Sequence, residues 1–193
     1  MKVLVACEFS QVVCKAFRDK GHEAYSCDIL PTEGNPEWHI QDDVLKYLDD
    51  DWDLMIAHPP CKYLCRNRAR LSAKENQEIN IVVARKFFMA FVEAPIKRIC
   101  VENPVPSKIA QLPSYNQIIQ PWQFGHDYSK KTCLWLKNLP HLMTTKLIEL
   151  TYITTPNGYH YTRGWYEMPR KTKDRSCTFR GIAQAMATQW GVL

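Results

Sequence analysis

An α/β fold with a mostly parallel sheet is the class that this sequence predicts. Short apolar runs of strand length alternate with segments that carry apolar residues at helical spacing. Two of the apolar runs end in prolines, and proline terminates a strand because it fixes φ and lacks an N–H. In an open α/β sheet, ligands bind beyond the carboxyl ends of the strands. The residues that directly follow each apolar run are therefore the candidate functional residues.

The elements are expected in the order β-α-β-α-β-α-β, followed by an antiparallel strand pair. Strands are predicted over 2–6, 23–27, 38–41, 53–57, 99–101, 117–120 and 132–136. Helices are predicted over 12–17, 44–48, 75–93 and 181–190. The core stripe of the longest helix is predicted at Ile79, Val82, Val83, Phe87, Ala90 and Phe91. This alternation gives parallel strands with right-handed crossovers and helices on both faces of the sheet.

One domain spanning residues 1–193 is expected, which is long enough to bury a core. Its 46% hydrophobic and 23% charged residues are typical of a globular protein, and no apolar run approaches the roughly 20 residues of a membrane span. Eight cysteines without a Cys-x-x-Cys pair favour free thiols in a cytoplasmic protein without a structural metal. The segment 137–175 carries no clear pattern and is the place for a small substrate-recognition insertion.

The strongest chemical signal is the segment His58-Pro59-Pro60-Cys61, which follows the apolar run ending at Ala57. Two prolines hold a thiol just past a strand end, where a nucleophile can reach a ligand. Glu102-Asn103-Pro104 follows another buried run in the same manner. If the two strands are neighbours, Cys61 and Glu102 converge on one pocket as a nucleophile and an acid. A cysteine that only packs as a small apolar side chain is the alternative.

Charged residues are distributed unevenly along the chain. Asp28 ends the second strand of a βαβ unit, where an acid commonly hydrogen-bonds the ribose hydroxyls of a nucleoside cofactor. The net charge is +5, and basic residues form three patches. The patches are Lys62, Arg66, Arg68 and Arg70; Lys130 and Lys131; and the run 170–175. Solvated surface charge is the alternative for each patch, but three of them favour a polyanionic substrate such as nucleic acid.

With these residues in hand, the chain resembles the C5-cytosine DNA methyltransferase family, and in particular its small standalone phage and prophage members. Pro59-Pro60-Cys61 matches the family's Pro-Cys nucleophile motif, and Glu102-Asn103 matches its Glu-Asn motif. The closing segment 175–187 looks like the family's last motif, whose helix completes the cofactor site. The resemblance implies a Rossmann-like S-adenosylmethionine-dependent methyltransferase fold. It also implies methyl transfer to C5 of cytosine in DNA through a covalent cysteine adduct.

The resemblance further implies a role for each site residue. The residues expected to bind S-adenosylmethionine are Ala6, Cys7, Glu8, Phe9, Ser10, Asp28, Ile29, Asp43, Val44 and Pro59. The residues expected to bind the DNA substrate are Lys62, Arg66, Arg68, Arg70, Asn103, Lys130, Lys131 and Thr132. In this chemistry the Cys61 thiolate adds to C6 of the base, while Glu102 holds or protonates N3. We expect Lys62 or a nearby arginine to lower the pKa of Cys61. For Asp43, a helix cap is the alternative.

Two other functions remain open at this point. Residues 7–20 contain no glycine, whereas the family's cofactor loop is glycine-rich so that backbone can approach the ligand. This difference favours a catalytically degenerate methyltransferase-fold protein that binds DNA or nucleotide without turnover, although the presence of both Cys61 and Glu102 argues against it. Thymidylate-synthase-type enzymes also attack C6 with a cysteine after two prolines, but their nucleophile lies late in a longer chain.

Overall fold

The computed structural model of the protein describes residues 1–65, 77–168 and 177–193. The strands of the main sheet are β1 (Lys2–Ala6), β2 (Glu23–Cys27), β3 (His39–Ile40), β4 (Leu54–Ala57), β5 (Arg98–Pro104), β6 (Gln117–Ile119) and β7 (Thr132–Lys137). A separate hairpin consists of β8 (Tyr152–Thr154) and β9 (His160–Thr162). The described α-helices are α1 (Val12–Arg18), α2 (Gln77–Val92), α3 (Arg163–Glu167) and α4 (Arg180–Trp190). Within these ranges, no helix combines the length and apolar character needed to cross a membrane.

The seven strands of the main sheet lie in the order β3-β2-β1-β4-β5-β7-β6. The pairs β3–β2, β2–β1, β1–β4 and β4–β5 are parallel, whereas β7 runs antiparallel to both β5 and β6. The order reverses direction at β1, so a crevice is expected beside the carboxyl end of this strand. The predicted fold class is confirmed as α/β: a Rossmann-like, mostly parallel sheet with an antiparallel strand pair and helices on both faces.

Strand register places four polar residues in one row at the carboxyl edge of the sheet. Ala6 is paired with Cys27 on one side and with Ala57 on the other, and Ala57 is paired with Val101. These paired residues lie at the same level on four neighbouring strands, so the residue that follows each of them also lies at one level, at the carboxyl edge of the sheet. These four residues are Cys7, Asp28, His58 and Glu102.

Helices cover both faces of the sheet because successive strand residues point to opposite sides. On one face, α1 and α4 pack against the sheet, with Phe17 and Trp190 fully buried in that cluster. On the other face, Phe88 and Phe91 of α2 are fully buried. The predicted core positions of the last helix are confirmed, since all four are buried: Ile182, Ala185, Met186 and Trp190.

The stripe predicted for α2 is wrong over the first half of the helix. Ile79, Val82 and Val83 are 64%, 52% and 61% exposed, and the chain buries Ile81 and Phe88 instead, whereas Phe91 is buried as predicted. The helix carries apolar residues on more than one side, so spacing alone does not select the buried face. The buried face is the one that carries large aromatic rings. Phe88 on this face packs edge-on against Trp135 of β7, with 4.9 Å between the ring centroids.

The predicted strand break at Glu102 is also wrong. β5 continues through Glu102 and Asn103 because β7 pairs with these residues, with Leu134 opposite Glu102. On the other side, β4 ends at Ala57, opposite Val101. Glu102 is therefore held in a ladder by β7 and extends past the end of β4. This arrangement fixes its backbone more firmly than a turn would.

Candidate functional site

A cleft of about 510 Å³ lies at the carboxyl ends of β1 to β4. The residues that follow these strands line it: 7–10, 27–30, 42–44, and His58 with Pro60. Phe87 of α2 and Cys177-Thr178, just before α4, close other sides. This volume falls within the range of small-molecule sites, and the position is the one that sheet topology predicts for a ligand.

Most of the residues that the sequence predicts for cofactor binding line this cleft. They are Cys7, Glu8, Phe9, Ser10, Asp28, Ile29, Asp43 and Val44. The other two, Ala6 and Pro59, are buried and do not contribute to the lining. Cys177 and Thr178 belong to the closing segment that the family resemblance places at the cofactor site.

The first loop reaches its shape without glycine. Cys7 and Gln11 have φ values of 58° and 57°, in the left-handed region that favours glycine. Gln11 is buried, and its Nε2 donates to Oγ of Ser26 (3.1 Å) and to the carbonyl of Asn35 (2.9 Å). Its Oε1 accepts from the Asn35 backbone N–H at 2.7 Å. Side-chain hydrogen bonds thus hold a backbone conformation that glycine would adopt more readily.

Two acidic residues at the cleft have local hydrogen bonds. Oδ1 of Asp28 accepts from the Leu30 N–H at 2.9 Å, which directs the chain over the end of β2. Asp43 precedes the 3-10 helix Val44–Tyr47, and its Oδ1 accepts from the Leu45 N–H at 3.1 Å. The helix-cap alternative for Asp43 is therefore observed, although the residue also lines the cleft. Beside these acids, the Ile29 side chain is 73% exposed.

A second group of side chains adjoins the cleft around the turn after β4. Nδ1 of His58 lies 2.9 Å from Oε2 of Glu102, with side chains only 10% and 14% exposed. The His58 N–H donates to the Ala6 carbonyl at 2.9 Å, and Nδ2 of Asn103 donates to the Pro59 carbonyl at 2.8 Å. These bonds tie the turn to the strands on either side. They fix the position of Cys61 with respect to Glu102.

The two buried glutamates near His58 have pKa values shifted in opposite directions. Burial raises the pKa of Glu8, outweighing the nearby His58 and hydrogen bonds from the Val13 and Cys14 N–H groups. Burial also acts to raise the pKa of Glu102. The hydrogen bond from His58 and the charge of Lys130 outweigh it, so the pKa of Glu102 is lowered. Glu102 is therefore a carboxylate at neutral pH, and Nδ1 of His58 is the donor in their hydrogen bond.

The expected lowering of the Cys61 pKa is wrong for this structure. A hydrogen bond with Cys65 and burial raise the pKa of Cys61 well above its usual range, and the charge of Glu102 adds to this. Lys130 acts in the opposite direction. Lys62 is exposed, and its Nζ lies 5.0 Å from the centre of the Tyr63 ring. The sequence pattern could not reveal this, because neighbours along the chain do not determine which charge faces the sulfur.

The predicted substrate-binding residues other than the exposed Lys62 lie in different settings. Lys130, next to Lys131, is close enough to affect the pKa of both Cys61 and Glu102. Asn103 and Thr132 are buried, and Lys131 is exposed. Arg66, Arg68 and Arg70 lie outside the described residues.

His58 is the residue that the sequence interpretation missed. The sequence pattern assigns it only to the segment that ends a strand, although its position after β4 matches those of Cys7, Asp28 and Glu102. That shared position was the available signal. The structure places His58 on the cleft wall and in contact with Glu102.

Comparison with known proteins gives a likeness to solved structures but no match to a known family. No protein-family model matches the chain, and no curated protein matches it. Among solved structures, it is similar to a candidate DNA modification methyltransferase encoded within a prophage of E. coli, with 13% sequence identity and a TM-score of 0.47. The match covers 78% of this chain and 53% of the other, so the chain spans about half the length of that protein.

Proposed function

We propose that this protein is a methyltransferase that transfers a methyl group from S-adenosylmethionine to C5 of cytosine in DNA. One observation carries the proposal: a cleft with acidic residues at two strand ends adjoins a cluster of a thiol, a carboxylate and a lysine at the same sheet edge. The thiol is Cys61, the carboxylate is Glu102, and the lysine is Lys130. Separately, each feature is common; together they provide a place for a nucleoside cofactor beside a nucleophile.

The cleft residues suit the adenosine part of the proposed cofactor. Asp28 follows β2 and can hold ribose hydroxyls, while Asp43 lies at the adjacent strand end. Ile29 projects a largely exposed apolar side chain that an adenine ring would cover. When bound, S-adenosylmethionine would supply a methyl group on a positively charged sulfur.

The chemistry of the remaining residues follows from their positions. In the proposed reaction, the Cys61 thiolate adds to C6 of cytosine and makes C5 nucleophilic. Lys130 favours the thiolate and supplies positive charge near the ring that gains electrons. Because Glu102 is ionised, it is suited to accept a hydrogen bond from the exocyclic amino group beside N3 rather than to protonate N3. A cytosine in duplex DNA must be flipped out to reach these groups.

A second candidate function is binding of DNA or nucleotide without turnover. The raised pKa of Cys61 favours it, because the thiol rather than the thiolate is the resting form. The presence of Lys130 and Glu102 beside this thiol favours the catalytic function. The two candidates make different predictions for product formation, and only the catalytic function requires S-adenosylmethionine to bind.

The direct test is mass spectrometry of nucleosides from DNA incubated with the protein and S-adenosylmethionine. We expect wild-type protein to form 5-methylcytosine and Cys61→Ser to form none, because a hydroxyl is far less ionised than a thiol. Cys14→Ser is the matched control, since Cys14 is absent from the cleft lining and its Sγ donates to the Ala24 carbonyl, a hydrogen bond that a serine hydroxyl can also make. Product from the Cys61→Ser variant at the wild-type level would exclude covalent catalysis at this residue.

Calorimetry with S-adenosylmethionine tests the cofactor site separately. Asp28→Ala is expected to weaken binding about tenfold, or about 1.4 kcal/mol, through loss of the ribose contacts. Asp50→Ala, at an exposed position outside the cleft, is the control. Cofactor binding without any methylated product would favour the second candidate function. Equal affinities of the Asp28→Ala variant and wild-type protein would refute the ribose assignment.

A further inference from the structure

We propose that His58 is the base that removes the C5 proton of cytosine after methyl transfer. This inference rests on the proposed cytosine reaction and adds a catalytic residue to it. His58 lines the cleft, and its imidazole is hydrogen-bonded to Glu102 in the adjoining cluster. It is thus the side chain shared by the proposed cofactor site and the proposed nucleophile site.

His58 lies between the cleft and the cluster that contains Cys61, which is where C5 of a bound cytosine would lie. Cys61 and Glu102 are absent from the cleft lining, whereas His58 and Pro60 belong to it. In the proposed reaction, C6 bonds to Cys61 while the adjacent C5 faces the methyl donor in the cleft. The carbon that loses its proton must therefore lie at the border of the two sites. His58 lies at this border.

The protonation of the imidazole suits a proton acceptor. Its Nδ1–H donates to the carboxylate of Glu102, so the neutral ring keeps a lone pair on Nε2. Nε2 is buried and has no hydrogen-bond partner among the described residues. Buried polar atoms are normally paired, so an unpartnered Nε2 on a residue that lines the cleft indicates a place for a substrate atom.

Two acidic side chains lie near the imidazole that proton removal would make positively charged. Glu102 contacts Nδ1 directly, and Glu8, which follows β1, is close enough for its pKa to be affected by His58. Lys130 is close enough to Glu102 and Cys61 to affect the pKa of each. An imidazolium at position 58 would therefore be flanked by acidic groups from the two neighbouring strands, which is the electrostatic requirement for a base.

The proposed step regenerates both the base and the thiolate. Nε2 of His58 takes the proton from C5, and the electron pair of the C5–H bond forms the C5=C6 double bond. The C6–S bond breaks, and its electron pair leaves with the sulfur, which regenerates the Cys61 thiolate. The imidazolium then returns its proton to water. No oxidant, reductant or further reactant takes part.

The most informative variant is His58→Asn. The asparagine amide nitrogen can replace Nδ1 as a donor to Glu102, while no group replaces Nε2. The variant therefore retains the contact that positions the strand ends and removes the proposed base. His58→Gln is the second variant, and His141→Asn, at an exposed position outside the cleft, is the matched control.

The experiment measures covalent protein–DNA complexes by intact mass spectrometry, with S-adenosylmethionine and a duplex oligonucleotide containing either cytosine or 5-fluorocytosine. Fluorine at C5 cannot leave as a cation, so wild-type protein should be trapped on the fluorinated DNA. On ordinary cytosine, wild-type protein and the His141→Asn variant should release product. The His58→Asn variant should accumulate the methylated adduct at least tenfold above the wild-type level.

Each of the other outcomes would contradict either the proposed function or the role of His58 as the base. If wild-type protein is not trapped by 5-fluorocytosine, the proposed function itself fails. If wild-type protein is trapped and either His58 variant releases 5-methylcytosine at the wild-type rate, His58 is not the base. If wild-type protein is trapped and neither variant forms an adduct on either DNA, although each unfolds at the wild-type temperature, His58 acts before the adduct and the inference is wrong.

Discussion

Nδ1 of His58 donates to Oε2 of Glu102 across 2.9 Å, and this hydrogen bond joins the carboxyl ends of β4 and β5. Glu8 follows β1, on the other side of β4, and His58 affects its pKa as well. The pKa of Glu102 is lowered, whereas that of Glu8 is raised by burial. The two carboxylates near one imidazole therefore make opposite contributions to stability as the pH changes.

Glu102→Gln is predicted to lower the free energy of unfolding by about 1–3 kcal/mol at neutral pH, because His58 loses its charged partner. The folded pKa of Glu102 lies below its unfolded value of about 4.3. The stabilising contribution of Glu102 is therefore present above about pH 4.3, and it disappears as the pH falls through the pKa of Glu102 in the folded protein. Urea unfolding across this range should show the gap between wild-type protein and variant closing on the acid side.

Glu8→Gln should show the opposite dependence and is the natural comparison. The folded pKa of Glu8 is raised, so its contribution is complete below about pH 4.3 and is lost as the pH rises through the folded value. The free-energy gap between wild-type protein and this variant should therefore shrink towards neutral pH. Parallel pH profiles for the two variants would show that the opposite pKa shifts are wrong.

Cys65→Ala is predicted to make Cys61 more reactive. The hydrogen bond with Cys65 is the largest cause of the raised Cys61 pKa, and only the thiolate reacts with an alkylating agent. We expect iodoacetamide to modify Cys61 about tenfold faster at neutral pH, with the pH profile shifted to lower pH. Peptide mass spectrometry follows this site alone, and Cys177→Ala is the control. An unchanged profile would mean that burial rather than Cys65 controls the thiol.

Gly34→Ala is predicted to destabilise the protein by displacing Gln11. A Cβ at position 34 would lie 2.9 Å from Cδ of Gln11 and closer still to its Oε1. Gln11 cannot easily move, because it is buried and makes three hydrogen bonds. We expect a loss of about 1–3 kcal/mol in urea unfolding. In a Gln11→Ala background the same change should cost almost nothing, and an undiminished cost there would exclude this mechanism.

Local patterns predicted the parts of the fold that depend on local sequence. The strands Lys2–Ala6 and Glu23–Cys27 have the predicted bounds: the first is a short apolar run, and the second lies between the turn at Gly21 and the polar Asp28. Helix α4 buries the predicted side because its apolar residues occupy only one face. The buried side of α2 could not be predicted in this way, since Val82 and Phe88 are both apolar and only contact with Trp135 distinguishes them.

The site was predictable where it depends on strand ends and unpredictable where it depends on contacts across the sheet. Asp28 and Cys61 follow directly from where a strand ends. The extension of β5 through Glu102 requires β7, which is distant along the chain. The pKa of Cys61 depends on the thiol of Cys65 and on burial, neither of which a pattern of charges reveals. The role proposed for His58 depends on its contact with Glu102 in the same way.

Lys131 is predicted to contact a DNA phosphate. It is exposed, and it directly precedes β7, whose first residue Thr132 lies opposite Pro104 at the carboxyl edge of the sheet. A phosphate contact there releases condensed counterions, so Lys131→Ala should reduce the slope of log affinity against log salt by about 0.9 on duplex DNA. Lys97→Ala is the matched control, because Lys97 is equally exposed but precedes β5 at the opposite edge. Since phosphate contacts position DNA without reading its sequence, the change should be the same for different oligonucleotides. Equal slopes for both variants and wild-type protein would place the DNA elsewhere.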